Sequence, residues 1–155
     1  MKPYADTNFF TRAYLELPDS READRLLLAA KRGKWSPLPV SWLHRVETLN
    51  AFQLHVFLAR APGQPFISSQ QAAMAHANFQ SDVQNAGFLR PVAIPPTELE
   101  KQFEELSLRH TARHGFRTYD LLHVASALVL KCNTFWSFDP RASRLASLEG
   151  LKVQR

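Results

Sequence analysis

Apolar residues recur along the whole chain in two alternating patterns, short extended runs and longer stretches with helical spacing. Lys2 to Ala5 predicts a short strand that stops at Asp6, and Asn8 to Leu17 predicts a helix. After a break at Leu17-Pro18-Asp19, Asp19 and Glu22 have the spacing of a capping box. Leu26, Leu27, Ala29 and Ala30 give the next helix its apolar face, and Gly33 in Lys31-Arg32-Gly33-Lys34 is placed to cap its end. Pro37 to Ser41 reads as a second strand. Trp42 to Arg60 reads as a long helix with apolar positions at Val46, Leu49, Leu54, Phe57 and Leu58, ended by Ala61-Pro62-Gly63. Ser68 and Gln71 predict another capping box and a helix to Ala86 that Gly87 closes. Phe88 to Ile94 predicts a third strand, stopped by Pro95-Pro96. Thr97 and Glu100 then cap a helix reaching His114, before Gly115. Thr118 to Leu130 is the most apolar helix and is expected to be central. Thr134 to Ser137 predicts a strand, Asp139-Pro140 opens a last helix to Leu148, and Leu151 to Val153 predicts an edge strand. Strands alternating with helices imply an α/β fold around a largely parallel sheet. No repeat or linker divides the chain, so residues 1–155 are expected to form one domain.

Composition narrows the class. A chain of 155 residues, 45% hydrophobic and 21% charged, is an ordinary globular sequence able to bury a core without staples. One cysteine, Cys132, excludes an intrachain disulfide and a Cys-rich zinc cluster. The longest apolar stretches, Leu26 to Ala30 and Val124 to Leu130, fall far short of the ~20 residues that span a bilayer. The N-terminus has no apolar leader and carries an acid at position 6. A reducing, cytoplasmic setting away from membranes is the expectation. The net charge of +5 comes from 19 basic and 14 acidic residues, and 13 of the bases are Arg, the cation suited to phosphate. That charge alone serves solubility equally well.

Four acids sit where solvated helix faces do not explain them. Asp6 directly follows the first strand, and Asp139 follows the fourth, each after apolar residues that belong in a core. In an open α/β sheet, ligands bind beyond the carboxyl ends of the strands. Either Asp can instead be a helix N-cap. Glu47 lies inside the apolar helix from Trp42 to Arg60, nearly two turns from its start, where Arg45 or another Arg offers a partner. Asp120 lies in the first turn of the most apolar helix, where the helix dipole alone favours it. Carboxylates gathered in one pocket repel one another, and a divalent cation relieves the repulsion. An all-oxygen donor set points to Mg²⁺ or Mn²⁺ over zinc.

Asp6-Thr7-Asn8, Val46-Glu47, Arg117-Thr118-Tyr119-Asp120-Leu121-Leu122-His123-Val124-Ala125 and Ser137-Phe138-Asp139-Pro140-Arg141, in this order and covering nearly the whole chain, resemble a PIN domain, and within it the VapC-type ribonuclease toxins of toxin–antitoxin pairs. The resemblance implies a parallel-sheet α/β/α sandwich and Mg²⁺- or Mn²⁺-dependent cleavage of RNA. It makes Asp6, Glu47, Asp120 and Asp139 the acidic cluster, Thr7 or Asn8 a supporting polar group, and Ser137 the small hydroxyl residue before the last acid. It further implies a cognate antitoxin protein as partner; a homodimer is expected because symmetric dimers are the commonest oligomer. The segment from Ala61 to Phe88 departs from compact family members in length and carries Gln70, Gln71, Gln80 and Gln84.

Hydrolysis of a phosphodiester needs an activated water and relief of charge on the leaving oxygen, which one metal ion with a carboxylate base, or two ions, can supply. Asp6 and Asp120 are read as direct ligands, Glu47 as a ligand or a water-orienting group, and Asp139 as a ligand directly or through water. With the four acids set aside, ten acids remain against nineteen bases, a basic body around an acidic site. Arg12, Lys31, Arg32, Lys34, Arg113, Arg117 and Arg141 are the candidate RNA contacts. Arg117 and Arg141, beside Asp120 and Asp139, stand nearest the scissile phosphate, and a solvated helix surface explains Arg12, Lys31, Arg32 and Lys34 equally well. His123, one turn after Asp120 and able to hydrogen-bond near the site, and His44 read first as packed, satisfied histidines. Trp35, Trp42 and Trp136 read as core over base-stacking platforms. Yet Trp35, Trp42 and the apolar helices between Asn8 and Arg60 carry more large apolar side chains than one core needs, a docking surface for an amphipathic antitoxin helix. Two other readings stand beside the ribonuclease: a Mg²⁺-dependent phosphatase, weakened because Asn8 stands where such enzymes of the haloacid dehalogenase type want a second Asp, and a binding module that kept the fold without the chemistry.

Overall fold

The computed structural model describes residues 1–154. Five parallel strands form two ladders: β1 (Pro3–Ala5), β4 (Thr134–Trp136) and β5 (Lys152–Gln154) in the order β1-β4-β5, and β2 (Leu38–Val40) with β3 (Leu89–Pro91). β2 lies beside β1, so the ladders run on from each other as β3-β2-β1-β4-β5. The connections leave β1 in one direction for β2 and return on its other side at β4. The carboxyl ends of β1 and β4 therefore flank the crevice where the strand order reverses.

Alternation along the strands makes a three-layer sandwich. Tyr4 and Phe135 face one side, stacked with ring centroids 5.7 Å apart, and pack with Phe116, Leu121, Val124 and Leu145. Ala5 and Trp136 face the other side and pack with Phe9, Phe10, Leu26 and Phe52. Helices α1 (Thr7–Tyr14), α2 (Ser20–Lys31), α3 (Trp42–Leu58) and α4 (Ser69–Asn85) cover the second face. On the first face lie α5 (Pro96–Leu106), which continues through a π-helical turn (Ser107–Thr111) into the short α6 (Ala112–His114), then α7 (Thr118–Val129) and α8 (Pro140–Leu148). The expected α/β class, parallel sheet and central apolar helix are all observed.

Several local expectations are corrected. The capping box at Asp19 does not form: Asp19 is left-handed, with φ 71°, and makes no cap bond. The Ser20 hydroxyl instead donates to Leu15 O and accepts from Leu17 N–H, at 2.7 and 2.8 Å. Thr97 caps nothing, because α5 begins one residue earlier with Pro96 in its first turn, where a missing N–H costs no helical bond. β3 is confined to Leu89–Pro91 plus one bond from Val92 N–H to Val40 O, since Pro91, Pro95 and Pro96 cannot donate to a ladder. The Ser68–Gln71 box forms as read. The 61–88 segment packs through α4, which buries Ala72, Ala75, Phe79 and Val83 and leaves its glutamines in solvent. Trp136 is core and Trp35 packs on it edge-on, but Trp42 is 51% exposed. Trp42 belongs to an uncovered apolar face of α3 with Val46, Leu49, Leu54, Phe57 and Leu58.

A candidate metal centre at the strand crossover

The ladder between β1 and β4 places Asp6 and Ser137 side by side. Ala5 pairs with Trp136, and Asp6 N–H donates to Trp136 O at 3.1 Å, the last rung before the chains part. Asp6 then turns the chain into α1: its Oδ1 accepts from Phe9 N–H at 2.9 Å. Asp139 does the same for α8, with Oδ1 accepting from Arg141 N–H at 2.8 Å, and its own N–H donates to the Ser137 hydroxyl at 2.9 Å. Asn8 ties the two turns together by accepting from Phe138 N–H at 3.2 Å. Both acids are thus N-caps, and both also face a cleft. The two readings of these residues coexist, since a cap uses only part of a carboxylate's acceptor capacity.

The cleft measures about 640 Å³ and is walled by all four singled-out acids, Asp6, Glu47, Asp120 and Asp139, together with Thr7, Asn8, Arg12, Arg117 and His123. Four different elements supply the carboxylates: the end of β1, α3, the first turn of α7 and the start of α8. They stand as two groups. Asp6 and Glu47 interact through His123, while Asp120 feels the charges of Asp139, Arg141 and Arg117.

Burial differs sharply among them, and so does electrostatics. Asp6 is 4% exposed, and loss of water pushes its carboxyl up to about 6; His123, the Ser137 hydroxyl and the Phe9 N–H offset part of that cost, and Glu47 adds to it. Burial also opposes ionisation of Glu47. The hydrogen bond and charge of His123, with the Thr7 hydroxyl, outweigh it and hold Glu47 below the ordinary glutamate value. Asp120 is raised by burial and by Asp139, with Arg117 N–H (3.1 Å) and the two arginines pulling the other way.

The expected partner of Glu47 was an arginine; the structure supplies a histidine and a threonine. Thr7 Oγ1 donates to Glu47 Oε2 at 2.8 Å, and His123 Nε2 lies 2.5 Å from the same oxygen. His123 Nδ1 is 2.9 Å from the Tyr4 hydroxyl. Behind it, His44 accepts from Ser41 N–H and holds Ala5 O through Nε2 at 2.9 Å, so it braces both β1 and the start of α3. Burial drives the His44 ring down to about 3, keeping it neutral. Both histidines are packed and satisfied, as expected, and in addition they brace the elements that carry Asp6 and Glu47. Their signal lay in spacing: His44 precedes Glu47 by three residues and His123 follows Asp120 by three, which puts each ring on the face of its acid.

The candidate cations divide. Arg12 lines the cleft, with its guanidinium 5.7 Å from the Phe138 ring centre, and Arg117 lines it from the mouth of α7. Arg141 lies outside the lining but close enough to act on Asp120. Lys31 and Lys34 lie against Phe88 and Trp35, away from the cleft.

A divalent ion fits the donor chemistry. All four candidate ligands are carboxylates in one cleft. Among the described residues, no group of three or more His, Cys, Asp or Glu side chains is arranged to hold a metal ion as it stands. Carboxylate oxygens are the donors that hard divalent cations take, and Mg²⁺, which keeps several waters, needs only one or two of them directly.

Comparison with curated protein sequences finds no match. Among solved structures, the fold is similar to that of Mycobacterium tuberculosis VapC20, described as a toxin that cleaves the sarcin–ricin loop, with a TM-score of 0.63 and 18% identity over 99% of each chain. A scan against protein families matches the PIN domain over residues 4–148. With that match spanning nearly its whole length, the chain belongs to the PIN domain family.

Proposed function

We propose that this chain is a single-domain, divalent-metal-dependent endoribonuclease, the toxin of a VapC-type toxin–antitoxin pair acting in the cytoplasm. The observation that carries the reading is the meeting of Asp6, Glu47, Asp120 and Asp139, from four separate elements, on one cleft at the strand crossover. Membership of the PIN family and the fold shared with a VapC toxin support it. No helix is long and apolar enough to cross a membrane among the described residues.

Asp6, Glu47, Asp120 and Asp139 would hold the Mg²⁺ or Mn²⁺. When bound, such an ion supplies a Lewis acid that polarises a phosphoryl oxygen and offsets charge on the leaving oxygen. The chain's own residues do the rest. Ser137 steadies Asp6 and Asp139, Thr7 steadies Glu47, and Asn8 clamps the two turns that carry the aspartates. Arg12 and Arg117, with Arg141 just beyond, give the cleft a basic rim that draws the RNA backbone to an acidic floor. The uncovered apolar face of α3 is where an amphipathic antitoxin helix, or a second copy in a homodimer, would bury Trp42, Leu49 and Phe57.

Purified protein incubated with end-labelled RNA and with p-nitrophenyl phosphate, with Mn²⁺ or with EDTA, tests the reading. Mn²⁺-dependent scission of RNA with the small ester untouched is expected. Hydrolysis of the ester alone would make the chain a phosphatase, and no turnover of either would leave it a binding module.

A further inference from the structure

We infer that His123, anchored by Tyr4, is a positioning residue that holds Glu47 as a single-oxygen donor to the cleft. The inference rests on the metal-dependent reading above and assigns a role to two residues that reading does not use. Tyr4 lies on β1, fully buried, with its ring fixed against Phe135. Its hydroxyl lies 2.9 Å from His123 Nδ1 and fixes the orientation of the imidazole ring. The ring then presents Nε2–H to Glu47 Oε2 at 2.5 Å. Thr7 donates to the same Oε2 at 2.8 Å. Two donors on one oxygen leave Oε1, which takes no hydrogen bond among the described residues, as the oxygen available to the cleft.

The consequence concerns the kind of ion accepted. A carboxylate tethered through one oxygen cannot readily chelate with both. Small octahedral ions such as Mg²⁺ and Mn²⁺ accept one oxygen per carboxylate and fill the remainder with water; Ca²⁺, with a larger and looser shell, gains from bidentate carboxylates. The Tyr4–His123 pair therefore sets both the affinity of the site and its preference for the smaller ion.

Titration calorimetry of Mn²⁺ and Ca²⁺ into wild type, Tyr4→Phe, His123→Leu and His123→Gln tests this, with a thermal melt of each to establish folding. Groups that orient metal ligands typically cost 10–100-fold in affinity when removed. His123→Leu should lose Mn²⁺ affinity within that range while Ca²⁺ affinity falls less, so the Mn²⁺/Ca²⁺ ratio drops. Gln, whose amide can donate near the position of Nε2, should recover most of the ratio. Tyr4→Phe deletes one oxygen, leaves the stacked ring in place, and should move the ratio in the same direction as His123→Leu; it carries the test if His123→Leu does not fold. Unchanged affinities and ratio in Tyr4→Phe and in any folded His123→Leu overturn the inference, as does a His123→Gln protein no better than His123→Leu. A wild type that binds neither ion overturns the metal reading and this inference with it, a result distinct from normal binding by every variant.

Discussion

Asp6→Asn should make the metal-free protein more stable while removing its response to metal. Asp6 is nearly without solvent, and burial raises its carboxyl from 3.8 to about 6. The folded state then binds more protons than the unfolded chain between about pH 4 and 6, so stability falls as pH rises through that window and is flat above it. A shift of about two units at about 1.4 kcal/mol each sets the cost of the ionised group at neutral pH on the order of 3 kcal/mol. Asn removes the charge yet keeps an oxygen for the Phe9 N–H cap. In a chain of this size about 1 kcal/mol moves Tm by about 2–4 °C, so several degrees of stabilisation are expected at pH 7.5 in EDTA, fading toward pH 4. Mn²⁺ at about 100 times its Kd should stabilise the wild type by about 2.7 kcal/mol and leave Asp6→Asn unmoved, so the order of the two melting curves closes or reverses. The assay is a thermal melt at pH 4.5 and 7.5, with EDTA or Mn²⁺. An Asp6→Asn protein less stable than wild type in EDTA, with the same pH dependence, would refute the electrostatic reasoning.

Other consequences can be checked independently. His44 is pushed from 6.5 to about 3 by burial, with His123 adding, so the unfolded chain takes up a proton that the folded one refuses; stability should fall as pH drops from about 6.5, by on the order of 3 kcal/mol at pH 4.5, and His44→Gln should flatten that slope in urea titrations across the same range. Arg117→Ala should weaken binding of single-stranded RNA and lower the slope of log affinity against log salt by about 0.7, with Mn²⁺ affinity retained; fluorescence anisotropy over a salt series reads this, and an unchanged slope returns Arg117 to a structural role. Expression of the chain alone should arrest growth, and co-expression of the small open reading frame beside it should restore growth; harmless accumulation of folded, RNA-cleaving protein would remove the toxin role.

The acids were legible because each breaks a pattern. Asp6 and Asp139 end strands that should continue into core, and Glu47 and Asp120 interrupt apolar helix surface. The parallel sheet was legible because strands and helices alternate with clear stops. The grouping of Asp6 with Glu47, and of Asp120 with Asp139, was not, because each pair sits on different elements and the two groups meet only across the β1–β4 ladder, which joins residues more than a hundred positions apart. Apolar spacing on α3 announced a helix, and the surplus of large apolar side chains around Trp42 announced a docking surface, but which residues lie uncovered is decided by the packing of α1 and α4 on the opposite side of α3. Asp19 failed as a cap because its backbone is left-handed, φ 71°, whereas a capping residue needs an extended one, and residue spacing does not show that. His123 was visible only as a ring near Asp120, since its working partner Glu47 is 76 residues away.

The central claim is that one cleft collects four carboxylates to hold a divalent ion, and anomalous scattering from a crystal grown with Mn²⁺ tests it most directly. The account predicts an anomalous peak between β1 and α7, within direct or water-mediated reach of Asp6, Glu47, Asp120 and Asp139, which disappears in Asp6→Asn crystals. A crystal at saturating Mn²⁺ with no peak in this cleft, or with its peak at a different set of residues, would contradict it.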